Sequence, residues 1–315
     1  MKRALLIYNP NAGKGQLKNR LSDIIDIIVK GGYEVTVYPT QSYRDAYKKV
    51  KHFEGDYDKV ICCGGDGTLD EVVSGMMRRE NKIPIGYIPA GTTNDFANSL
   101  HIPKNMLDAA ETAVNGVEME CDIGKFNNGI FVYIAAFGVF TDVSYETKQE
   151  MKNILGHLAY LLEGMTRIFD IPSYKLKVTV NGQIIEDEFI FGMVTNSKSV
   201  GGFRSIVGKN VVFDDGEFEV VLIKKPNSAL ALQEMVAALL KSQVDNKYMY
   251  LFKAKEIHFE SIREIPWTLD GEYGGQHDDV VVRNSQRALK IMVPAESIEE
   301  LTENGMMRQR VENEE

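Results

Sequence analysis

Residues Gly64-Gly65-Asp66-Gly67-Thr68-Leu69-Asp70-Glu71-Val72 constrain this chain more than any other stretch. They follow the apolar run Val60-Ile61-Cys62-Cys63 and precede a segment of helical character. The pattern predicts a strand, a glycine-rich turn and a helix start. Glycine lets a backbone approach a phosphate closely, and the free amides of a helix N-terminus point at it. Thr68 and Glu71 stand at capping-box spacing, which predicts where the helix begins. Asp66 lies inside the turn. A carboxylate beside phosphates is repelled unless a divalent cation sits between them. The turn therefore reads as a site for a metal-bound nucleotide. A plain β-to-α turn accounts for the glycines but not for Asp66 and a capping Thr together.

The rest of the first half repeats this grammar. Ala4 to Tyr8 is a short apolar strand running into Asn9-Pro10-Asn11-Ala12-Gly13-Lys14-Gly15. Leu17, Leu21, Ile24, Ile25 and Ile28 then recur at helical spacing. Gly31-Gly32 ends that helix, and Tyr33 to Tyr38 is the next strand. The result is a βαβ unit, so its strands should be parallel with a right-handed crossover. Ser42 and Asp45 open a further helix. A fourth strand, Ile85 to Ile88, enters Pro89-Ala90-Gly91-Thr92-Thr93-Asn94-Asp95-Phe96. Three phosphate-suited turns thus leave the carboxyl ends of parallel strands, the edge where open α/β sheets bind ligands. Lys14 lacks the spacing and the following Ser/Thr of a P-loop, so Asn9 and the Gly13 backbone are the better contacts.

The second half is built differently. Tyr174 to Val180, Asn181-Gly182 and Gln183 to Thr195 read as a hairpin, because Asn-Gly suits a type I′ turn. Val211 to Val221 reads as two strands around the acidic turn Asp214-Asp215-Gly216. Short strands are expected at Glu256–Ser261, Asp279–Arg283 and Ala288–Val293, a pattern of an antiparallel sandwich. The boundary falls near Glu120. This gives a nucleotide-binding α/β domain at 1–120 and a β-sandwich at 121–293. The charged segment 294–315 is expected to pack back on the first domain. A crevice between two such domains is a common ligand site.

Composition excludes more than it identifies. A net charge of −9 argues against nucleic acid as the main partner, which requires a basic face. Cys62, Cys63 and Cys121 have neither metal-ligand spacing nor a disulfide pattern, so a cytoplasmic location is expected. Met1-Lys2-Arg3 is basic, but the apolar run after it stops at Asn9, unlike a signal peptide. The longest apolar stretch, Ile130 to Phe140, is far short of the ~20 residues a membrane helix needs.

Pro266-Trp267-Thr268-Leu269-Asp270-Gly271-Glu272 adds a second acidic constellation. In an extended segment, Asp270 and Glu272 would point the same way. Phosphoryl transfer to an alcohol uses a carboxylate near the hydroxyl and a cation on the phosphates. Taken alone, the segment is equally an Asp-Gly surface turn. The ordered set Asn9–Gly13, Gly64–Thr68, Pro89–Phe96, Asp214–Gly216 and Asp270–Glu272 resembles the bacterial diacylglycerol kinase family of lipid kinases, related to sphingosine and ceramide kinases. The resemblance covers nearly the whole chain. It implies an ATP-binding N-terminal α/β domain with a parallel sheet, similar to phosphofructokinase and NAD kinase, and a C-terminal antiparallel β-sandwich with a lipid pocket.

The resemblance also implies roles. Asp270 matches the general base that takes the proton from the acceptor hydroxyl, and Glu272 an acidic residue near the nucleotide. Asn9, Pro10, Asn11, Ala12 and Gly13 match nucleotide-binding positions, as do Thr40, Gly65, Asp66, Gly67, Thr68, Leu69, Asp70, Glu71 and Thr92. Asp215 matches the side-chain ligand of a structural Mg2+, with the carbonyls of Val212 and Glu217 as partners. Asp122 matches an acidic residue at the domain junction. ATP and Mg2+ are the implied cofactors and a lipid the implied substrate. Transient contact with the inner face of a membrane is implied, and a homodimer is compatible.

Two positions depart from the family pattern. Asp70 stands where Asn is usual, and Tyr133-Ile134-Ala135 where an Asn precedes an apolar strand. Both bear on the acceptor. Leu155 to Phe169 and Ala229 to Leu240 are apolar helix candidates that could line a lipid pocket or lie in a core. A soluble-metabolite kinase of the NAD kinase type and a non-catalytic lipid or nucleotide sensor are the alternatives.

Overall fold

A computed structural model describes residues 1–138, 171–197, 211–240 and 247–302, without the side chains of 14–16, 239 and 240. The chain divides into two compact units. The first takes the described residues of Met1–Ile123, Val212–Asp215 and Gln286–Glu315. The second takes those of Gly124–Val211 and Gly216–Ser285. The apolar candidate at Leu155 to Phe169 lies outside the described residues.

The first unit alternates strands and helices. Its elements are β1 (Lys2–Tyr8), α1 (Gln16–Lys30), β2 (Tyr33–Pro39), α2 (Asp45–His52), β3 (Lys59–Gly64), α3 (Asp66–Met76), β4 (Ile85–Pro89), α4 (Asp95–Ser99) and α5 (Met106–Asn115). β1 pairs in parallel with β2 and with β3, and β3 pairs in parallel with β4. Late in the chain, Ile291 pairs in parallel with Ile85 of β4. The order across these strands is β4-β3-β1-β2. Every residue of β3 and β4 is buried, as a strand covered on both faces requires. β2 lies at the edge and is mostly half-buried or exposed. Leu17, Ile24 and Ile28 form the buried stripe of α1. The helix stops at Gly31-Gly32, where Gly32 has φ +87°, a conformation that suits glycine.

The second unit is a β-sandwich. It contains β6 (Gly129–Phe131), β7 (Ile134–Gly138), β8 (Tyr174–Val180), β9 (Gln183–Thr195), β10 (Phe218–Lys224), α6 (Ala229–Leu240), β11 (Met249–Ala254) and β12 (Glu256–Leu269). Two strands run across the division of the chain, β5 (Val117–Phe126) and β13 (Glu272–Val293). All described pairings within this unit are antiparallel. The first part of β9 pairs with β8 and its last part with β7 and β10. β12 likewise pairs with β8 early and with β7 late. Each long strand thus changes partners along its length. The turn in β12 comes at a register shift between Glu260 and Ile265, which leaves Ile262 90% exposed. The core centres on Trp267, whose ring meets Phe137 at 4.8 Å, Phe126 at 5.1 Å and Phe259 at 5.2 Å.

Asn181 and Gly182 both have positive φ, so the β8–β9 hairpin is the expected type I′ turn. Two strand expectations need correction. Val211 to Glu217 form no strand, and β10 starts only at Phe218. Consecutive Asp214, Asp215 and Gly216 break the pleat before pairing can begin. The three short strands expected after Glu256 are two long ones, β12 and β13, because charged residues there lie on exposed faces of strands rather than in turns.

Candidate active site

The connections of β1 and β3 run to opposite sides: β1 leads to β2, and β3 leads to β4. A crevice opens at such a switch point, above the carboxyl ends of the two strands. Asn9 follows β1 there and the Gly64-Gly65 turn follows β3. The Asn9 amide donates to the Cys63 carbonyl at 3.0 Å, and Asn9 Nδ2 lies 3.5 Å from Thr68 Oγ1. Asn9 Oδ1 accepts the Asn11 amide at 2.9 Å, and the Ala12 amide donates to the Asn9 carbonyl. Pro10 and Asn11 complete this turn. Gly13 has φ +64°, and a Cβ there would stand 2.9 Å from the Ala90 carbonyl oxygen. The first loop therefore packs directly on the loop after β4.

That second contact is closer still between glycines. A Cβ built on Gly91 would lie 2.7 Å from Gly65 Cα, and one on Gly65 would lie 3.3 Å from Gly91 Cα. Asn94 fixes the approach. It sits at φ 53°, accepts from the Gly91 amide at 3.0 Å and donates Nδ2 to the Gly91 carbonyl at 2.9 Å. Its own amide donates to Asp66 Oδ2 at 2.9 Å. Asp66 thus binds the first amides of α4 from the first turn of α3. Burial pushes its carboxyl above the ordinary range, while the amides of Asn94, Asp95 and Phe96 pull the other way. Asp66 Oδ1 is buried and accepts no hydrogen bond. An orphaned carboxylate oxygen beside a glycine cradle fits a hard cation. An Asn just before a helix is a capping signal, but the hold of Asn94 on the Gly91 loop has no counterpart in residue spacing.

The capping-box expectation is corrected. α3 begins at Asp66 with Gly65 as its cap, and no side chain closes it. The amides of Thr68 and Leu69 turn back to the Gly65 carbonyl instead. Glu71 reaches away from its own helix end: its carboxylate accepts from the amides of Arg44 and Ala46. Glycine at the cap makes a reciprocal box impossible. Gly67 and Thr92 are exposed, Thr40, Asp70 and Glu71 are half-buried, and Leu69 belongs to the core. The Thr40 amide donates to the Tyr8 carbonyl, which holds it at the end of β2 beside β1. Below the turn, burial pushes the Cys63 thiol up to about 12 and raises Cys62 as well, so both stay protonated and unreactive.

In the second unit, Asp270 and Gly271 have φ +50° and +82°, and Leu269 pairs with Glu272. They are the two central residues of a type I′ hairpin, so the segment is not extended and Asp270 and Glu272 do not share a strand face. Asp270 is 7% exposed; Glu272 is exposed at the head of β13. The Asp270 carboxylate accepts the amides of Val132 at 2.6 Å, Tyr133 at 2.9 Å and Ile134 at 3.0 Å. Its amide donates to the Ile134 carbonyl. Ala135, one residue on, pairs with Leu269 and lies in the core.

Residues 212–215 belong to the first unit. Val212 is buried, whereas Asp215 and Glu217 are half-buried. Asp214 is bound to Arg287 through side chain (3.4 Å) and carbonyl (3.3 Å). Asp122 is fully buried; its amide donates to the Phe213 carbonyl and its Oδ1 accepts the Arg287 amide at 2.7 Å. Arg287 has φ +51°, so Asp122 closes a left-handed turn. Among the described residues, no group of three or more His, Cys, Asp and Glu side chains is arranged to hold a metal.

Residues 3–126 match the diacylglycerol kinase catalytic domain, and residues 134–293 match the YegS C-terminal NAD kinase beta sandwich-like domain. A diacylglycerol kinase of Bacillus subtilis (strain 168) is 34% identical over 303 residues, covering 96% of this chain and 99% of that protein. One from Staphylococcus aureus (strain bovine RF122 / ET3-1) is 34% identical over 305 residues, covering 96% of both. The crystal structure of a diacylglycerol kinase from Bacillus anthracis str. Sterne superposes with a TM-score of 0.74 at 25% identity, covering 94% of this chain and 98% of that one. With both halves matched and curated relatives alike along almost their whole length, this chain belongs to the diacylglycerol kinase family of lipid kinases.

Proposed function

We propose that the protein transfers the γ-phosphate of ATP to the hydroxyl of diacylglycerol or a closely related lipid. The observation that carries the donor assignment is the glycine contact at the switch point. Gly65 and Gly91 bring two loops together without side chains, so that backbone at the start of α3 can approach phosphate closely. Asn9 to Gly13, Thr40, Gly65 to Asp70 and Thr92 surround the nucleotide. Asp66 Oδ1 offers the oxygen ligand for Mg2+ there. Asp215, with the carbonyls of Val212 and Glu217, offers an oxygen-only donor set for a second, structural Mg2+. A divalent ion neutralises charge on the phosphates during transfer.

The second unit supplies the lipid and Asp270. The lipid oxygen attacks the γ-phosphorus, the bond to the β,γ-bridging oxygen breaks, and ADP leaves. The hydroxyl proton passes to Asp270. Three amides hold that carboxylate in one orientation. Glu272, exposed at the head of β13, is the acidic residue assigned to the nucleotide. The division of labour follows the two units, with the chain after residue 293 serving the nucleotide side. No described helix is long and apolar enough to cross a membrane. The lipid is reached by transient contact with a bilayer surface, and a homodimer is compatible with this.

Incubation with γ-labelled ATP and a total lipid extract tests the reading. A labelled lipid phosphate supports it. Label appearing in NAD but in no lipid would replace it with a soluble-metabolite kinase.

A further inference from the structure

Glu71 belongs to the glycine-turn motif, yet each of its carboxylate oxygens already accepts an amide at the start of another helix. Oε1 accepts the Arg44 amide at 2.7 Å and Oε2 accepts the Ala46 amide at 3.0 Å. Arg44 is the N-cap of α2, stands at φ 60° and provides no side-chain cap. Its guanidinium lies instead over the Tyr47 ring, 4.7 Å from the centroid. The cap of α2 therefore comes from α3. A carboxylate is the right group, since two N–H donors face two acceptor oxygens at the positive end of a helix.

The residues before α2 are held in the same manner. Asp45 Oδ1 accepts from the Tyr38 hydroxyl at 3.0 Å and Oδ2 from the Gln41 amide at 2.8 Å. Thr40 lies between these ties, with its own amide on the Tyr8 carbonyl. Asp45 folds the 38–45 segment onto itself, and Glu71 joins it to the helix that carries the glycine turn.

We propose that Glu71 is a positioning residue and not a nucleotide ligand: it fixes the Thr40 loop relative to the Gly64–Thr68 turn. This rests on the ATP reading above.

Glu71→Gln keeps size but turns one acceptor into a donor that faces an amide. Hydrogen exchange without nucleotide should then be at least tenfold faster at the amides of Arg44 and Ala46. The KM for ATP should rise about fivefold while kcat stays within twofold. Asp45→Asn, which loosens the same loop without touching α3, should raise the KM in the same direction and keeps the test open if Glu71→Gln does not fold. A raised KM with unchanged exchange at residues 44 and 46 would show direct contact with nucleotide and overturn the proposal. Faster exchange with an unchanged KM would also overturn it, reducing the tie to local stability. Failure of ATP to protect the 65–69 amides in the unaltered protein overturns the donor assignment itself, and that is read without any variant.

Discussion

Gly65 and Gly91 touch backbone to backbone, so that a methyl group on Gly91 would stand 2.7 Å from the Gly65 Cα and 2.7 Å from Asn94 Oδ1. Neither neighbour is a flexible side-chain tip able to swing aside: one is main chain, and the other is held by two bonds to Gly91 itself. Gly91→Ala should therefore push the two loops apart. We expect a loss of about 1–3 kcal/mol in stability, as for other overpacked sites, and a larger loss in ATP-dependent activity, at least tenfold. Chemical denaturation and kinase assays on one preparation check both. Gly32→Ala is the control. Gly32 carries positive φ, unlike Gly91, and meets nothing within 4 Å, so its substitution should cost stability through backbone strain and spare activity.

Asp270→Asn should abolish most transfer, at least a hundredfold, while ATP-induced protection of the glycine turn persists. It should not be structurally silent. An amide group offers one oxygen and one NH2 where three backbone N–H groups converge, so about 1–3 kcal/mol of stability should be lost as well. Thermal melting alongside kcat separates the two effects. Activity within twofold of the parent would remove Asp270 from the mechanism.

Lys59 gives a pH test of the fold. It is 4% exposed, and its Nζ donates to the carbonyls of Ala113 and Val114 at the end of α5. Burial lowers its pKa from 10.5 to about 8. Between these values the unfolded chain binds the proton and the folded one does not, so stability through this group rises with pH. Buried thiols titrate in the opposite sense, so the informative quantity is the difference between the parent and Lys59→Met. That difference should move in the parent's favour from pH 8 to pH 10, by at most about 1.4 kcal/mol per pH unit. Urea denaturation across that range measures it. A flat difference would show that Lys59 is not buried as an ammonium at neutral pH.

Asn94→Ala removes both side-chain bonds to the Gly91 loop and leaves an alanine at φ 53°. Activity should fall at least tenfold, with Asn94→Asp partly restoring it because one oxygen can still accept the Gly91 amide. Equal loss in both variants would point to the amide nitrogen, through its bond to the Gly91 carbonyl, as the feature that matters.

The strands and helices of the first unit were legible because their signals are local: apolar runs for β3 and β4, helical spacing in α1, and glycines at the stops. The Asn181-Gly182 hairpin was legible for the same reason. Asp270-Gly271 carried an equally local turn signal; the extended alternative, with Asp270 and Glu272 on one face, is the one the backbone excludes. What no local pattern revealed were the partners. Glu71 finds its amides at residues 44 and 46, and Asp270 finds its own at 132–134. Such pairs form when strands and helices pack, and residue spacing does not encode them. The helix start at Asp66 was misplaced because a Thr and a Glu at suitable spacing resemble a capping box whether or not the preceding glycine permits one.

The amides that grip Asp270 come from the residues leading into β7, and β7 is zipped to β12 immediately below them. The aim of this one acid is thus calibrated by how two strands are aligned. A slip of a single position along that seam would turn the side chains of one strand to the opposite face and carry the three amides away from the carboxylate. Changes in the Trp267 core can in this way reorient Asp270 through alignment alone.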